Sequence, residues 1–249
     1  MSENSRISWT DHTFNPWIGC QKVSEGCKNC YAESFAKRRI GQNLWGPNSS
    51  RHITKTWQEP FKWNRRASAS RIRERVFCAS LADVFEDRPD LIPHRQRLWE
   101  LVRATESLDW LILTKRPENI TRMLPLDWAP YLNVWLGVSA ENQARWNERV
   151  PILCKVPAVV HFVSYEPALG PVDPSSTFPM IPEWIIVGGE SGPKRRPFDE
   201  YWARGMRAAC KQLGIAFFYK QKGGLMPDGG APFLDGITHH EWPTPRMIP

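Results

Sequence analysis

Seven short runs of β-branched and aromatic residues, at 15–19, 76–80, 110–114, 134–138, 159–164, 184–188 and 216–220, constrain the fold of this chain most. Each is closed by polar or Gly residues. Between them lie amphipathic stretches, at 31–39, 93–105, 117–124, 141–153 and 198–213. Strand-like runs alternating with helical stretches long enough to cross over are the pattern of βα units with parallel strands. In the stretch 93–105, Leu98, Leu101 and Val102 show the i, i+3, i+4 spacing of one buried helix face. The strands are hydrophobic nearly throughout, so both faces must be covered, and the expected fold is a full or partial parallel (β/α) barrel. An open doubly wound sheet is the alternative, but no glycine fingerprint follows the first strand run.

At 249 residues the chain can build one large core, and a single barrel domain over 1–249 is expected. The stretch 42–69, rich in Arg, Lys, Asn and Trp, reads as a long loop insertion after the first helix. From residue 223 the sequence is Gly/Pro-rich and reads as an irregular tail, with Phe233, Leu234 and Trp242 available to pin it. Apolar residues make up 41% and charged ones 24%, the balance of a globular protein rather than a disordered one. There is no long apolar run and no apolar h-region at the start, so a cytoplasmic protein without a membrane span is expected. The formal charge of +7 favours anionic partners such as nucleic acid or nucleotides, although a solvated basic surface gives the same balance.

Three of the six cysteines crowd into one turn: Cys20, Cys27 and Cys30 form a Cys-x6-Cys-x2-Cys pattern directly after the first strand run. Cys78, Cys154 and Cys210 stand apart in apolar segments and read as buried thiols. Gly19, Gly26, Lys28 and Asn29 make the turn polar, so its thiols are candidate ligands rather than core residues. Three thiolates match three corners of an iron–sulfur cube, with the fourth iron open, whereas a structural zinc site closes with four ligands. The zinc alternative takes His12 or another side chain as its fourth ligand. The end of a barrel strand is where such folds carry their reactive groups.

The segment from Gly19-Cys20 through Cys27-Lys28-Asn29-Cys30-Tyr31-Ala32-Glu33 resembles the cluster loop of radical S-adenosylmethionine (SAM) enzymes. The usual loop of that superfamily is Cys-x3-Cys-x2-Cys, and the first spacing here is longer. The chain is more closely similar to an uncharacterised phage-associated family. It shares with that family the opening Trp9-Thr10-Asp11 and Thr13-Phe14-Asn15-Pro16-Trp17, then Leu113-Thr114-Lys115-Arg116-Pro117 and Gly137-Val138-Ser139-Ala140-Glu141-Asn142. It also shares Glu166-Pro167, Gly188-Gly189-Glu190-Ser191-Gly192 and Leu234-Asp235-Gly236.

The resemblance implies a TIM-barrel-like fold of radical-SAM type, with a [4Fe-4S] cluster on Cys20, Cys27 and Cys30. Its open iron would bind the amino and carboxylate groups of SAM. An electron from a donor such as flavodoxin or ferredoxin would then cleave SAM to a 5′-deoxyadenosyl radical. Tyr31 would shield the cluster. Lys115 or Arg116 would neutralise the methionine carboxylate, and Ser139, Glu141 and Asn142 suit ribose hydroxyls. Glu166 follows the fifth strand. After the sixth, Gly188 and Gly189 would let backbone approach a ligand, with Glu190 beside them. The superfamily's similar Gly-Gly-Glu lies at the second strand, so its amine-holding role is not carried over. Ser139, Ser164 and Ser191 are equally good helix caps. The basic residues Arg38, Arg39, Arg51, Lys55, Arg65, Arg66 and Lys194-Arg195-Arg196 would line the barrel mouth against phosphates, while His239 and His240 are expected to be solvated. Two rivals remain: a zinc-stabilised nucleic-acid-binding module without catalysis, and an enzyme that uses the open iron as a Lewis acid.

Overall fold

The computed structural model describes residues 2–128, 131–225 and 232–246. The chain divides into two compact units, one built on residues 1–22 and 32–135 and the other on 23–31 and 136–247.

The first unit holds β1 (Ser2–Glu3), β2 (His12–Phe14), β3 (Trp17–Ile18), α1 (Tyr31–Arg39, joining this unit from Ala32) and β4 (His52–Ile53). It continues with α2 (Glu59–Ser70), β5 (Glu74–Cys78), α3 (Ile92–Arg103), β6 (Leu108–Thr114) and the single turn α4 (Ile120–Met123). Its sheet runs in the order β1-β2-β5-β6. β1 is antiparallel to β2; β2, β5 and β6 are parallel, with His12 opposite Val76 and Val76 opposite Trp110. Val76, Trp110, Leu111 and Ile112 are fully buried, which is why these runs are apolar on both faces. α3 packs Leu98, Trp99, Leu101 and Val102 inward, as its periodicity predicts.

Two expectations need correction here. The first of the parallel strands is β2, not 15–19, because Pro16 has no N–H to offer a ladder. Asn15 ends the strand instead: its Oδ1 accepts from the Leu81 N–H at 2.7 Å and its Nδ2 donates to Ser80 Oγ at 3.1 Å. Trp17–Ile18 turns away to pair antiparallel with β4. The stretch 42–69 is not all loop, since α2 starts at Glu59 with Pro60 in its first turn and ends at Arg71 in the left-handed region. Its inward residues Pro60, Trp63 and Ala67 are spaced i, i+3, i+7, the pattern of one helix face, set among polar neighbours that read as loop.

The second unit takes over within β7 (Val134–Ser139) and continues through α5 (Gln143–Leu153), β8 (Val160–Tyr165), β9 (Trp184–Gly188), α6 (Glu200–Leu213) and β10 (Ala216–Gln221). The strands run in the order β7-β8-β9-β10, with β8, β9 and β10 parallel. Both helices begin on side-chain caps: Asn142 accepts from the Arg145 N–H, and Asp199 from the Tyr201 N–H. Parallel strands joined by helices make this a mixed α/β chain, compatible with a partial (β/α) barrel.

Of the tail from 223, residues 226–231 lie outside the described residues. The part from 232 is more ordered than expected. Phe233–Leu234 (β11) pairs with Ile237–Thr238 (β12), burying Leu234 and leaving Phe233 half exposed. Beyond the hairpin, the Tyr219 N–H donates to His239 O and the Glu241 N–H to Phe217 O, while Trp242 packs on Trp184 at 4.9 Å. His239 and His240 are therefore not solvated: His239 is buried, and His240 stacks on Phe218 at 4.1 Å. Among the described residues no helix is long and apolar enough to cross a membrane.

His161 in β8 is buried, with Nε2 donating to Val156 O at 2.7 Å. Burial outweighs that bond and holds its pKa below the usual histidine value. A depressed folded pKa means stability that is present above the unfolded value and is lost as pH falls through the folded one. Thermal melts between neutral pH and pH of about 5 should therefore show an acid loss, and the loss should be smaller in His161→Gln.

Candidate functional site

Cys20, Cys27 and Cys30 are all half-buried and none is in a disulfide. Cys20 belongs to the first unit and follows Gly19, whose φ of +120° lies where side chains are strained. A Cβ at Gly19 would stand 2.5 Å from Leu44 O, so glycine lets two backbone segments meet there. The Cys20 thiol faces Arg116, whose Nη1 is 3.6 Å from Sγ. That guanidinium is fixed on two other sides: Nη1 donates to Asp83 Oδ2 at 2.7 Å, and Nη2 to Gln21 O at 2.6 Å. Asp83 is held in turn by Thr114 Oγ1 at 2.7 Å and by the Phe85 N–H at 3.0 Å. Burial and Asp83 push the Cys20 thiol up to about 12, against the pull of Arg116. A metal taken up there must displace a proton.

Cys27 and Cys30 lie in the segment 23–31 of the second unit, and that unit's strand ends hold the segment at several points. Ser24 Oγ donates to Glu141 Oε1 at 2.7 Å. Glu141, fully buried after β7, is also paired with buried Arg149 at 3.1 Å. Gly26 lies against the same carboxylate, and a Cβ there would be 2.1 Å from Glu141 Oε1. Asn142 Nδ2 and Arg145 Nη2 bind the Glu25 carboxylate at 2.6 and 3.1 Å. With its own backbone N–H as the larger influence, these contacts bring Glu25 down to about 2. Asn29 Nδ2 donates to Glu190 Oε2 at 3.0 Å and to Lys194 O at 2.7 Å. Arg196 closes the ring, donating to both Glu190 oxygens and to Glu25 O. Burial alone would raise Glu190, but Arg196 and Asn29 hold it below the usual carboxylate range.

Glu141, Asn142 and Glu190, picked out in the sequence as ligand contacts, thus spend hydrogen bonds on the cysteine-bearing turn. Of the other expected contacts, Ser139 is buried at the end of β7 and Lys115 is half-buried after β6. Glu166 is paired with Lys220 at 2.5 Å. Tyr31 is 48% exposed at the start of α1. Gly188 lies against Glu166, where a Cβ would be 3.3 Å from Oε1. Gly189 admits a neighbouring strand exit: a Cβ there would stand 2.1 Å from Lys222 O. Gly189→Ala should consequently cost about 3 kcal/mol or more in a urea unfolding measurement, since backbone must move.

Several of the cations expected to line a barrel mouth are committed elsewhere. Arg51 is buried and bidentate on Glu86, with Nη2 to Oε1 at 2.6 Å, so it cannot face phosphates. Arg66 is bound to Glu3 and Glu74, and Arg196 to Glu190. Arg38, Arg39, Lys55, Arg65, Lys194 and Arg195 remain exposed. Of the thiols read as core, Cys78 and Cys210 are buried and Cys154 is only half-buried. The roles of Ser24 and Arg145 on this turn carried no readable signal, because Glu141 and Glu25, their partners here, lie more than a hundred residues away in the chain.

The donor chemistry fits a soft metal group: three thiols without disulfide partners, half-buried, in a polar turn. Among the described residues no group of three or more His, Cys, Asp or Glu side chains is gathered as a site for one metal ion.

No curated protein and no solved structure matches the chain. Residues 4–243 match the family described as protein of unknown function (DUF5131). With nearly its whole length covered by that match, this chain belongs to the DUF5131 family.

Proposed function

We propose that this protein is a radical-SAM-like enzyme in which Cys20, Cys27 and Cys30 bind a [4Fe-4S] cluster. The observation that carries the reading is the way segment 23–31 is anchored. Two carboxylates that are costly to bury, Glu141 and Glu190, are used to fix Ser24 and Asn29 on either side of Cys27, while both thiols stay out of disulfides. So much buried polar structure suits a turn that must hold its thiols in one geometry. Cys20, Cys27 and Cys30 would hold the group, and the chemistry it would supply with SAM bound is one-electron cleavage of the sulfur–C5′ bond to methionine and a 5′-deoxyadenosyl radical. The chain's part is to orient the thiols and to cover the group with Tyr31, with Lys115, Ser139 and Glu166 as the contacts left for the cofactor; the Gly188-Gly189 backbone is taken up by Ala168, Gln221 and Lys222. An external reductant of the flavodoxin or ferredoxin kind delivers the electron. The +7 charge and the exposed Arg38, Arg39, Lys55, Arg65 and Arg195 support a nucleic acid or nucleotide substrate.

Anaerobic purification after iron and sulfide reconstitution tests the reading. The expected result is a brown protein with about four irons and about four sulfides per chain. After reduction it should release 5′-deoxyadenosine from SAM. A colourless protein carrying about one zinc and no sulfide would overturn it in favour of a zinc-stabilised binding module. A brown protein that never forms 5′-deoxyadenosine would retain the cluster and overturn the radical step.

A further inference from the structure

We propose that Arg116 is a positioning residue that donates a hydrogen bond to the Cys20 sulfur and thereby raises the reduction potential of the metal group that Cys20 ligates. This inference rests on the cluster reading above and adds to it a specific control of electron uptake.

The guanidinium is built in place rather than left to solvent. Its side chain is 8% exposed and Asp83 is 7% exposed, and the two are paired at 2.7 Å. A third contact, from Nη2 to Gln21 O at 2.6 Å, ties the guanidinium to the residue next to Cys20. The remaining hydrogen of Nη1 is directed at Cys20 Sγ, at 3.6 Å, within reach for a sulfur acceptor. Behind it, Thr114 Oγ1 donates to Asp83 and accepts from the Arg116 N–H at 2.9 Å, so the end of β6 sets both partners. Burying a cation and a carboxylate is costly in stability, and a replacement by apolar residues would often be neutral or better. The pair is therefore better explained by what its free edge reaches, which is the thiol.

Adding an electron to a thiolate-ligated centre adds negative charge. Asp83 offsets the charge of Arg116, so it is the N–H aimed at the ligand sulfur that stabilises the added electron more than the oxidised state and makes reduction easier. Lysine at 116 would keep a charge but lose the planar fork that binds Asp83, Gln21 O and Sγ together.

The test uses the full chain reconstituted anaerobically with iron and sulfide, titrated with a chemical one-electron reductant and followed by electron paramagnetic resonance. Arg116→Lys and the double variant Asp83→Asn/Arg116→Met are compared with wild type. The double variant removes the ion pair as a unit, so no buried charge is left alone. Arg122→Met, which removes an exposed cation paired with Asp87, is the control. Circular dichroism and iron content confirm folding and loading. The expected result is that both Arg116 variants keep their iron but show at least a tenfold lower ratio of reduced to oxidised cluster at a fixed potential. For a one-electron couple that is a shift of about 59 mV to more negative values. The control should stay at the wild-type midpoint. Loaded Arg116 variants with the wild-type midpoint would overturn this inference alone. Loss of all iron from a folded Arg116→Lys would overturn it too, by making Arg116 a requirement for assembly. A wild-type chain that takes up no iron and sulfide would overturn the cluster reading and this inference together.

Discussion

Alanine at both Cys27 and Cys30 is expected to lower iron and sulfide per chain by more than about tenfold while leaving the fold intact, because thiolate ligation contributes most of the binding free energy of such a group. The two side chains are half-buried on a turn rather than packed in the core, so little apolar contact is lost. Cys20→Ala should act in the same direction. It frees Arg116 from its sulfur contact but leaves the Asp83 pair in place. Cys78→Ala is the contrasting variant. That thiol is fully buried in β5, so its loss should lower stability and leave iron content untouched. Iron and sulfide assays beside thermal melts separate the two behaviours, and an unchanged iron content in the Cys27/Cys30 double variant would sink the proposed function.

The second large effect lies at Glu141. Replacing it with alanine removes the partner of Arg149 in a place where both side chains are 3% exposed or less, so the arginine is left charged and uncompensated. The cost expected from such a break is about 3–5 kcal/mol of folding stability, read from urea unfolding. Part of that loss concerns the cysteine turn, since Ser24 loses its acceptor and the space against Gly26 opens. Ser24→Ala isolates this part: it should cost only about 1 kcal/mol, because it removes one hydrogen bond and leaves the ion pair. If Glu141 anchors the turn, Glu141→Ala should also make residues 23–31 exchange amide hydrogen faster than Ser24→Ala does. Equal exchange in wild type and Glu141→Ala would show that the turn is held by Glu190 and Glu25 contacts instead.

The legibility of this chain was uneven, for reasons that can be traced to particular residues. β6, β9 and β10 could be read directly, because strands buried on both faces have to be apolar along their length. α6 could be read because Ala203, Met206 and Cys210 repeat on one face and Gly214 closes the helix. α2 was missed although Pro60, Trp63 and Ala67 fall on one face, because the Arg-, Lys- and Asn-rich residues around them read as loop. The tail misled for a similar reason. Leu234 and Trp242, named from the sequence as residues that could pin it, are buried and packed on Trp184 respectively, but its backbone bonds to β10 leave no local pattern. Gly189 was correctly marked as a point of close approach, but what approaches it is the Lys222 backbone.

By itself the sequence determined the parallel α/β character, the thiol-rich turn from Cys20 to Cys30 and the positive charge. Each of these depends on residue type and short spacing, which are local properties. Only the tertiary structure decided which charged groups serve one another: Arg51 with Glu86, Arg116 with Asp83 and the Cys20 sulfur, Glu141 with Arg149 and Ser24, and Glu190 with Arg196 and Asn29. A charge buried at a strand end must find its partner across space, and the nearest opposite charge in the fold is seldom the nearest in the chain.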